Sequence, residues 1–250
     1  MKTLFISDLH LSPDQPELIR LATDFITKQT EVDAFYILGD IFNTWLGDDL
    51  IPAEFDPFIQ ALQHQQQQGS KIYLMQGNRD FMLGKGFARL VGGSLLDDPV
   101  VVNLYGHSIL LMHGDSLCTD DVSYQRYRNI VRKRWLQKLF LAMPLFVRQR
   151  ISDKIKAKSK QQKQYKQAQI MDVNPAAVRQ VMKQYQVNLL LHGHTHRPAI
   201  HQLESLENIL SYRIVLGDWH SEPSYIEITA EKIRLVDMRL LKGETQLLLA

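Results

Sequence analysis

An α/β fold with a parallel sheet is predicted by three features of the sequence. Apolar runs of strand length alternate with helix-period segments through the first third of the chain. Five such runs stop at a polar motif rich in Asp, Asn, His and Gly, the placement expected where strands end in the crevice of an α/β sheet. The 250 residues, 45% of them apolar, suffice for one full-sized core, so a single domain is expected over residues 1–250.

In chain order, Thr3–Ile6, Ala34–Leu38 and Lys71–Met75 read as strands, separated by helices from about Gln15 to Gln29 and over Phe55–Gln67. This βαβαβ order implies parallel pairing. The glutamines at 65–68 precede Gly69 and read as the solvated last turn of the second helix. Val100–Leu104 and Ser108–Met112 flank Tyr105-Gly106-His107 and predict a hairpin. Between about Thr119 and Asp172 the pattern is helical, with one proline, Pro144, and no glycine. It reads as a helical insertion over about residues 119–172. Asn174-Pro175 begins a further helix that reaches Gln186. Asn188–Leu191, Tyr212–Leu216, Ser224–Ile228 and Ile233–Met238 complete the predicted strands, and no internal repeat is visible.

The single cysteine, Cys118, has no partner for an internal disulfide and leaves nothing for a thiolate cluster, so a buried reduced thiol is expected. Ser7 and Asp8 end the first apolar run too early for a signal-peptide core, and secretion is not expected. The longest apolar stretch, Leu139–Val147, is nine residues with Pro144 inside it. A membrane span needs about 20, so no crossing is expected. Net charge is +2, but residues 126–166 hold fourteen Lys or Arg against one acid, Asp153. That window is therefore +13 and the remainder −11, which points to an anionic partner for the insertion.

Asp8-Leu9-His10 follows Leu4-Phe5-Ile6, Gly39-Asp40 follows Tyr36-Ile37-Leu38, and Gly77-Asn78-Arg79-Asp80 follows Tyr73-Leu74-Met75. His113-Gly114-Asp115 follows Ile109–Met112, and His192-Gly193-His194-Thr195-His196 follows Leu189-Leu190-Leu191. Asp, Asn and neutral His offer hard oxygens and imidazole nitrogens suited to a pair of Mn²⁺, Fe²⁺ or Zn²⁺ ions. The candidate ligands are Asp8, His10, Asp40, Asn78, His113, His194 and His196. Glycine beside four of them would let the chain bend and a phosphate approach. The spacing within Asp8-Leu9-His10 and His194-Thr195-His196 would put both side chains on one face of extended chain. Any one motif has an ordinary reading as a turn or polar loop. Five in order, each ending an apolar run, do not.

That order resembles the calcineurin-like metallophosphoesterase superfamily, over residues 8 to 196 and with no ligand missing. The resemblance implies two packed β-sheets flanked by helices and two divalent cations, expected as Mn²⁺. Asp8, His10, Asp40 and His196 would hold the first, and Asp40, Asn78, His113 and His194 the second, with Asp40 as the bridge. Leu38–Phe42, Trp45–Asp49, Gly77–Phe81, His113–Cys118, Ile170–Asn174 and Gly217-Asp218-Trp219 narrow the likeness. They are similar to the branch that cleaves the pyrophosphate of UDP-linked, 2,3-diacylated glucosamine in lipid A synthesis. The implied reaction yields UMP and the acylated sugar 1-phosphate, by water attack on the α-phosphorus. Asn78, Arg79 and His194 would be catalytic and touch substrate, and Asp121, Ser159, Lys163 and Lys166 would contact the glucosamine phosphate. A forked guanidinium at Arg79 suits a pyrophosphate. The likeness also implies a peripheral protein on the cytoplasmic side of the bacterial inner membrane, with no nucleic-acid partner; a monomer is expected. Asn43 departs from the branch, which usually carries an acid there.

In the insertion, Trp135, Leu136, Leu139, Phe140, Met143, Phe146 and Val147 approximate one helical face, with cations on the other. Either the apolar side packs on the body, or two helices form a lid that takes acyl chains while its cations meet phosphate and anionic lipid heads. Lys163 and Lys166 share a helix face. A nuclease would use the same chemistry, but aliphatics are interspersed among these cations and aromatics for base stacking are few. Asp115 and Asp218 would orient ligand histidines or cap turns. Trp219 reads as core, and His64, His107, His201 and His220 have no motif around them.

Overall fold

Along the first strand, β1 (Lys2–Ile6), Leu4 and Ile6 face one side of the sheet and Phe5 the other. This period of two generates the layers of the whole molecule. The computed structural model describes residues 1–163, 172–206 and 209–249, side chains at 158–163, 204–206 and 209 excepted. After β1 come α1 (Pro16–Thr27), β2 (Val32–Leu38), α2 (Asp56–Gln67), β3 (Lys71–Met75), α3 (Lys85–Leu90) and β4 (Ser94–Leu95). The hairpin β5 (Val100–Leu104) and β6 (His107–Met112) leads to α4 (Val122–Val131), α5 (Arg134–Leu141) and α6 (Leu145–Lys163). Then follow α7 (Pro175–Tyr185), β7 (Leu189–His192), β8 (Ala199–Leu206), β9 (Ile209–Val215), β10 (Tyr225–Ile228), β11 (Lys232–Val236) and β12 (Glu244–Leu248).

One sheet has the order β12-β11-β10-β1-β2-β3-β4 and the other β5-β6-β7-β9-β8. β1 to β4 are parallel, as are β6, β7 and β9. Phe5, Tyr36, Leu38 and Met75 of the first sheet meet Ile109, Leu111, Leu191 and Ile214 of the second in a core between the sheets. On the outer side of the first sheet, Leu4, Ile6, Phe35 and Ile37 pack under α1, α2 and α3. On the outer side of the second, Leu110, Met112 and Leu190 pack under Val178 and Met182 of α7, with buried Cys118 beside them. The layers are therefore helix, sheet, sheet, helix, as the resemblance implied. Trp219 lies in the first core, edge-on to Phe25, with its indole N–H donated to Ser224 O at 2.8 Å.

Several sequence expectations need correction. Gln65 is not solvated: it is 4% exposed and its amide donates to Ile26 O and Gln29 O, closing the end of α1. The insertion contains three helices among the described residues rather than two. Its apolar side is laid on the body only in part: Phe140 packs against the first core, while Trp135 and Phe146 are 64% and 62% exposed. Nor do all its cations face outward. Arg148 is buried and pairs with Asp49 and Leu46 O, Arg128 with Asp115 and Asp98, and Arg132 with Gly77 O. β4, β8 and β12 were not predicted; the first is two residues long, and the other two are edge strands with polar alternation.

Candidate metal centre

The candidate ligands all stand just beyond the carboxyl ends of parallel strands: Asp8 after β1, Asp40 after β2, Asn78 after β3, His113 after β6 and His194 after β7. Both sheets thus contribute to one crevice. Asp8, His10 and His196 present donor atoms within 4.8 Å of one another, and so do Asp8, Asp40 and His113. His196 Nε2 is 3.3 Å from both His10 Nε2 and Asp8 Oδ1. Asn78 Oδ1 lies 2.9 Å from His113 Nε2 and 2.8 Å from His194 Nδ1, so three donors converge there. Asp40 sits between the groups, with Oδ1 3.7 Å from His113 Nε2 and Oδ2 3.8 Å from His10 Nδ1. All seven residues are brought together.

They do not converge by strand alternation. Asp8, His10, Asp40, His194 and His196 have φ between +50° and +69°, the left-handed region that non-glycine residues seldom occupy. Each pair of ligands two apart is aimed by a kinked backbone, not by extended chain. The glycines likewise serve the protein rather than a phosphate. A Cβ on Gly77 would stand 2.1 Å from Asp40 Oδ1, and one on Gly193 2.3 Å from Asp8 Oδ2, so the ligand carboxylates themselves fill those spaces.

The strained loops are held by Asp80, to which the sequence pattern assigns no role. Asp80 is fully buried and accepts N–H bonds from Gly77 and Ile41 at 2.7 Å, from Asp40 at 3.2 Å and from Phe42 at 3.3 Å. It ties the loop after β3 to the loop after β2. Phe42 anchors the same loop in a cluster of Trp45, Phe55 and Phe87 at centroid distances of 4.3, 4.6 and 5.3 Å. Asp80 ends the Gly-Asn-Arg-Asp motif, and that position was its only signal.

Neighbouring groups fix which nitrogen each histidine presents. Leu38 O accepts from His113 Nδ1 at 2.9 Å, and Asp218 Oδ2 lies 3.0 Å from His196 Nδ1, leaving each Nε2 toward the centre. Asp218 is thus a histidine-orienting residue, in turn held by Arg239. Asp115 is neither that nor a turn cap. Its carboxylate accepts from Tyr124 Oη at 2.6 Å and Arg128 Nε at 2.8 Å, and Tyr124 stacks on His194. Through it α4 abuts the centre.

Burial keeps His10 and His194 neutral, with pKa values pushed down to about 3 and about 4. Burial also disfavours the His196 imidazolium, but the carboxylates of Asp218 and Asp8 outweigh it and raise it to about 9. Burial would lift Asp8 too, yet His196, His113 and His10 hold it well below the carboxylate range. Asp40 is raised, chiefly by burial and then by Asp8, against the pull of His113. Such mutual dependence is what a cation would relieve. Asp8 Oδ1 and His10 Nδ1 are buried without hydrogen-bond partners, a rare condition that coordination would end. The donor set fits divalent metals.

Arg79 projects beside the centre, with its backbone N–H on Asp40 Oδ1 at 2.8 Å and its guanidinium on Asn43 Oδ1 at 2.5 Å. Asn43 thus steers Arg79 without neutralising it. Asp121 caps α4, accepting from Tyr124 N at 3.0 Å. The Ser159 and Lys163 side chains and all of Lys166 lie outside the described residues.

The sequence profile of the calcineurin-like phosphoesterases matches residues 1–198. The chain belongs to that family. It is a metal-dependent family, and the centre described above lies within the matched span. The UDP-2,3-diacylglucosamine hydrolase of Serratia proteamaculans is 48% identical over 237 residues, 94% of this chain and 98% of that one. The protein of the same name in Escherichia coli O7:K1 is 46% identical with the same coverage.

Proposed function

We propose that the chain hydrolyses the pyrophosphate of UDP-2,3-diacylglucosamine to UMP and 2,3-diacylglucosamine 1-phosphate, in lipid A synthesis, with two Mn²⁺ ions bound. The observation that carries this is the convergence of all seven candidate ligands, with Asp40 3.7 Å from His113 on one side and 3.8 Å from His10 on the other, in a chain nearly half identical along 94% of its length to hydrolases of that name. On this reading Asp8, His10, Asp40 and His196 hold one cation and Asp40, Asn78, His113 and His194 the other. Two such cations would lower the pKa of a shared water and neutralise phosphoryl oxygens. Arg79, with a guanidinium steered by Asn43, forks onto the pyrophosphate, and neutral His194, backed by Tyr124, contacts the same group.

Residues 1–250 are read as one domain, with the insertion as its lid and acyl-chain site. Exposed Trp135, Leu139 and Phe146 beside Lys and Arg support peripheral attachment of a monomer to the cytoplasmic side of an anionic inner membrane. No helix among the described residues is long and apolar enough to cross one. Turnover with Mn²⁺ of UDP-diacylglucosamine against a generic aryl phosphodiester tests the substrate. Strong preference for the former is expected, with ¹⁸O from water appearing in UMP. No preference, or label in the lipid product, would refute the reading. Asp40→Ala should abolish turnover and lower metal content, because neither cation would keep a full ligand set.

A further inference from the structure

The insertion meets the centre at the half that holds Asn78, His113 and His194, through Arg132, Tyr124 and the Asp115 network. Beside His196, in the other half, opens a cavity of about 360 Å³ whose walls include Asp172, Arg197, His201, Arg213 and Arg239. Two of its three arginines are engaged. Arg239 is bound to Asp237 and Asp218, and Arg197 to Asp172. Arg213 meets no carboxylate among the described residues. Its Nη1 donates to His192 Nε2 at 3.2 Å, and His192 is fully buried with Nδ1 toward Gly193 O. Arg213 sits on β9 directly opposite His201 of β8, and beside Leu190 of β7. A half-buried guanidinium with five donors and one neutral acceptor has donors to offer a ligand.

Cationic side chains share the walls with Pro198 and Ala199, a lining suited to a flat ring with polar edges, and the volume is at the small end of ligand pockets, about 300–1,000 Å³. Resting on the reaction proposed above, we propose that this cavity takes the nucleoside end of the substrate, Arg213 donating to the O4 carbonyl oxygen of a pyrimidine-2,4-dione. His201 lies alongside the ring. A guanidinium at that position accepts uracil, which presents a carbonyl oxygen at C4, and rejects cytosine, which presents an amino group there. Arg213 would then be a specificity-determining residue, outside the ligand set.

Calorimetric titration of the Mn²⁺-loaded full chain with UMP, CMP and ribose 5-phosphate tests this. Wild-type protein is expected to bind UMP about tenfold or more tighter than CMP, the discrimination typical of a good hydrogen-bonded base contact. Arg213→Gln should collapse that ratio and raise KM for the acylated substrate more than it lowers kcat, with ribose 5-phosphate affinity unmoved. Equal binding of UMP and CMP by wild type would overturn the proposal, as would equal weakening of all three ligands in the variant. Should Arg213→Gln fail to fold, Arg213→Lys keeps the charge but loses the fork. An unchanged UMP preference in that variant would also overturn it. Wild type that prefers UMP yet leaves UDP-diacylglucosamine intact would sink the substrate reading and support the pocket. Hydrolysis without base preference would sink the pocket alone.

Discussion

Removing the Asp80 carboxylate should cost the fold and the metal centre together. Asp80→Ala leaves four buried backbone N–H groups without their acceptor, two of them, on Ile41 and Gly77, in bonds of 2.7 Å. An orphaned buried donor costs about 1–3 kcal/mol, so the two short bonds alone give about 2–6 kcal/mol. That is a large part of the roughly 5–15 kcal/mol by which a domain is stable. For a chain of this size each kcal/mol is worth about 2–4 °C, so a fall in Tm of about 10 °C is expected. Asp80→Asn keeps one acceptor oxygen and should fall about half as far. Because the same bonds hold Asp40 and Asn78 in register, metal content should drop in step with Tm. Thermal unfolding and elemental analysis of both variants provide the check. A Tm within about 2 °C of wild type, or full metal content in Asp80→Ala, would refute the view that this carboxylate clamps the ligand loops.

Two further outcomes are expected. In metal-free protein, protonated His196 gains from Asp218 and Asp8, so its stabilising contribution is full below 6.5 and lost as pH rises toward about 9. Thermal stability should therefore decline across that window without metal, and Asp218→Asn should flatten the slope; a rise with pH would contradict the assignment. Binding to anionic vesicles should fall with salt, and Trp135→Ala with Phe146→Ala should weaken it further, since both rings are exposed. Sedimentation at low and high ionic strength checks this, and equal binding to neutral vesicles would defeat the electrostatic part.

The parallel strands and the residues that converge on the crevice were legible because both follow from short-range patterns. Apolar runs mark β1, β2, β3, β6 and β7, and polar residues that end such runs face the crevice by topology. What periodicity could not supply is backbone strain. Nothing in the spacing of Asp8 and His10, or of His194 and His196, announces positive φ at all four. Asp80 was invisible for a related reason, since three of its four partners are main-chain donors 38 to 40 residues away. The inward turn of Arg148 and Arg128 was equally hidden, because a cation's destination depends on Asp49, Asp98 and Asp115 in distant segments. Composition measured the charge of the insertion without saying which of it was neutralised.

That distinction also governs the centre. Of the seven candidate ligands only Asp8 and Asp40 carry charge when the histidines are neutral. With the two divalent cations proposed above, two carboxylates would leave about +2 in the crevice, to which Arg79 would add one more charge. The other nearby acids do not cancel this, because Asp218 is engaged by Arg239 and Asp115 by Arg128, while burial and then Asp40 push Asp80 toward its neutral form, up to about 7. A ligand set of carboxylates alone would bring the centre near neutrality and give a pyrophosphate little reason to enter. The preference for imidazole and amide donors therefore does more than suit the metal. It leaves the positive field uncancelled where the anionic group of the substrate must sit, and it places acids only where a partner on the protein already holds them.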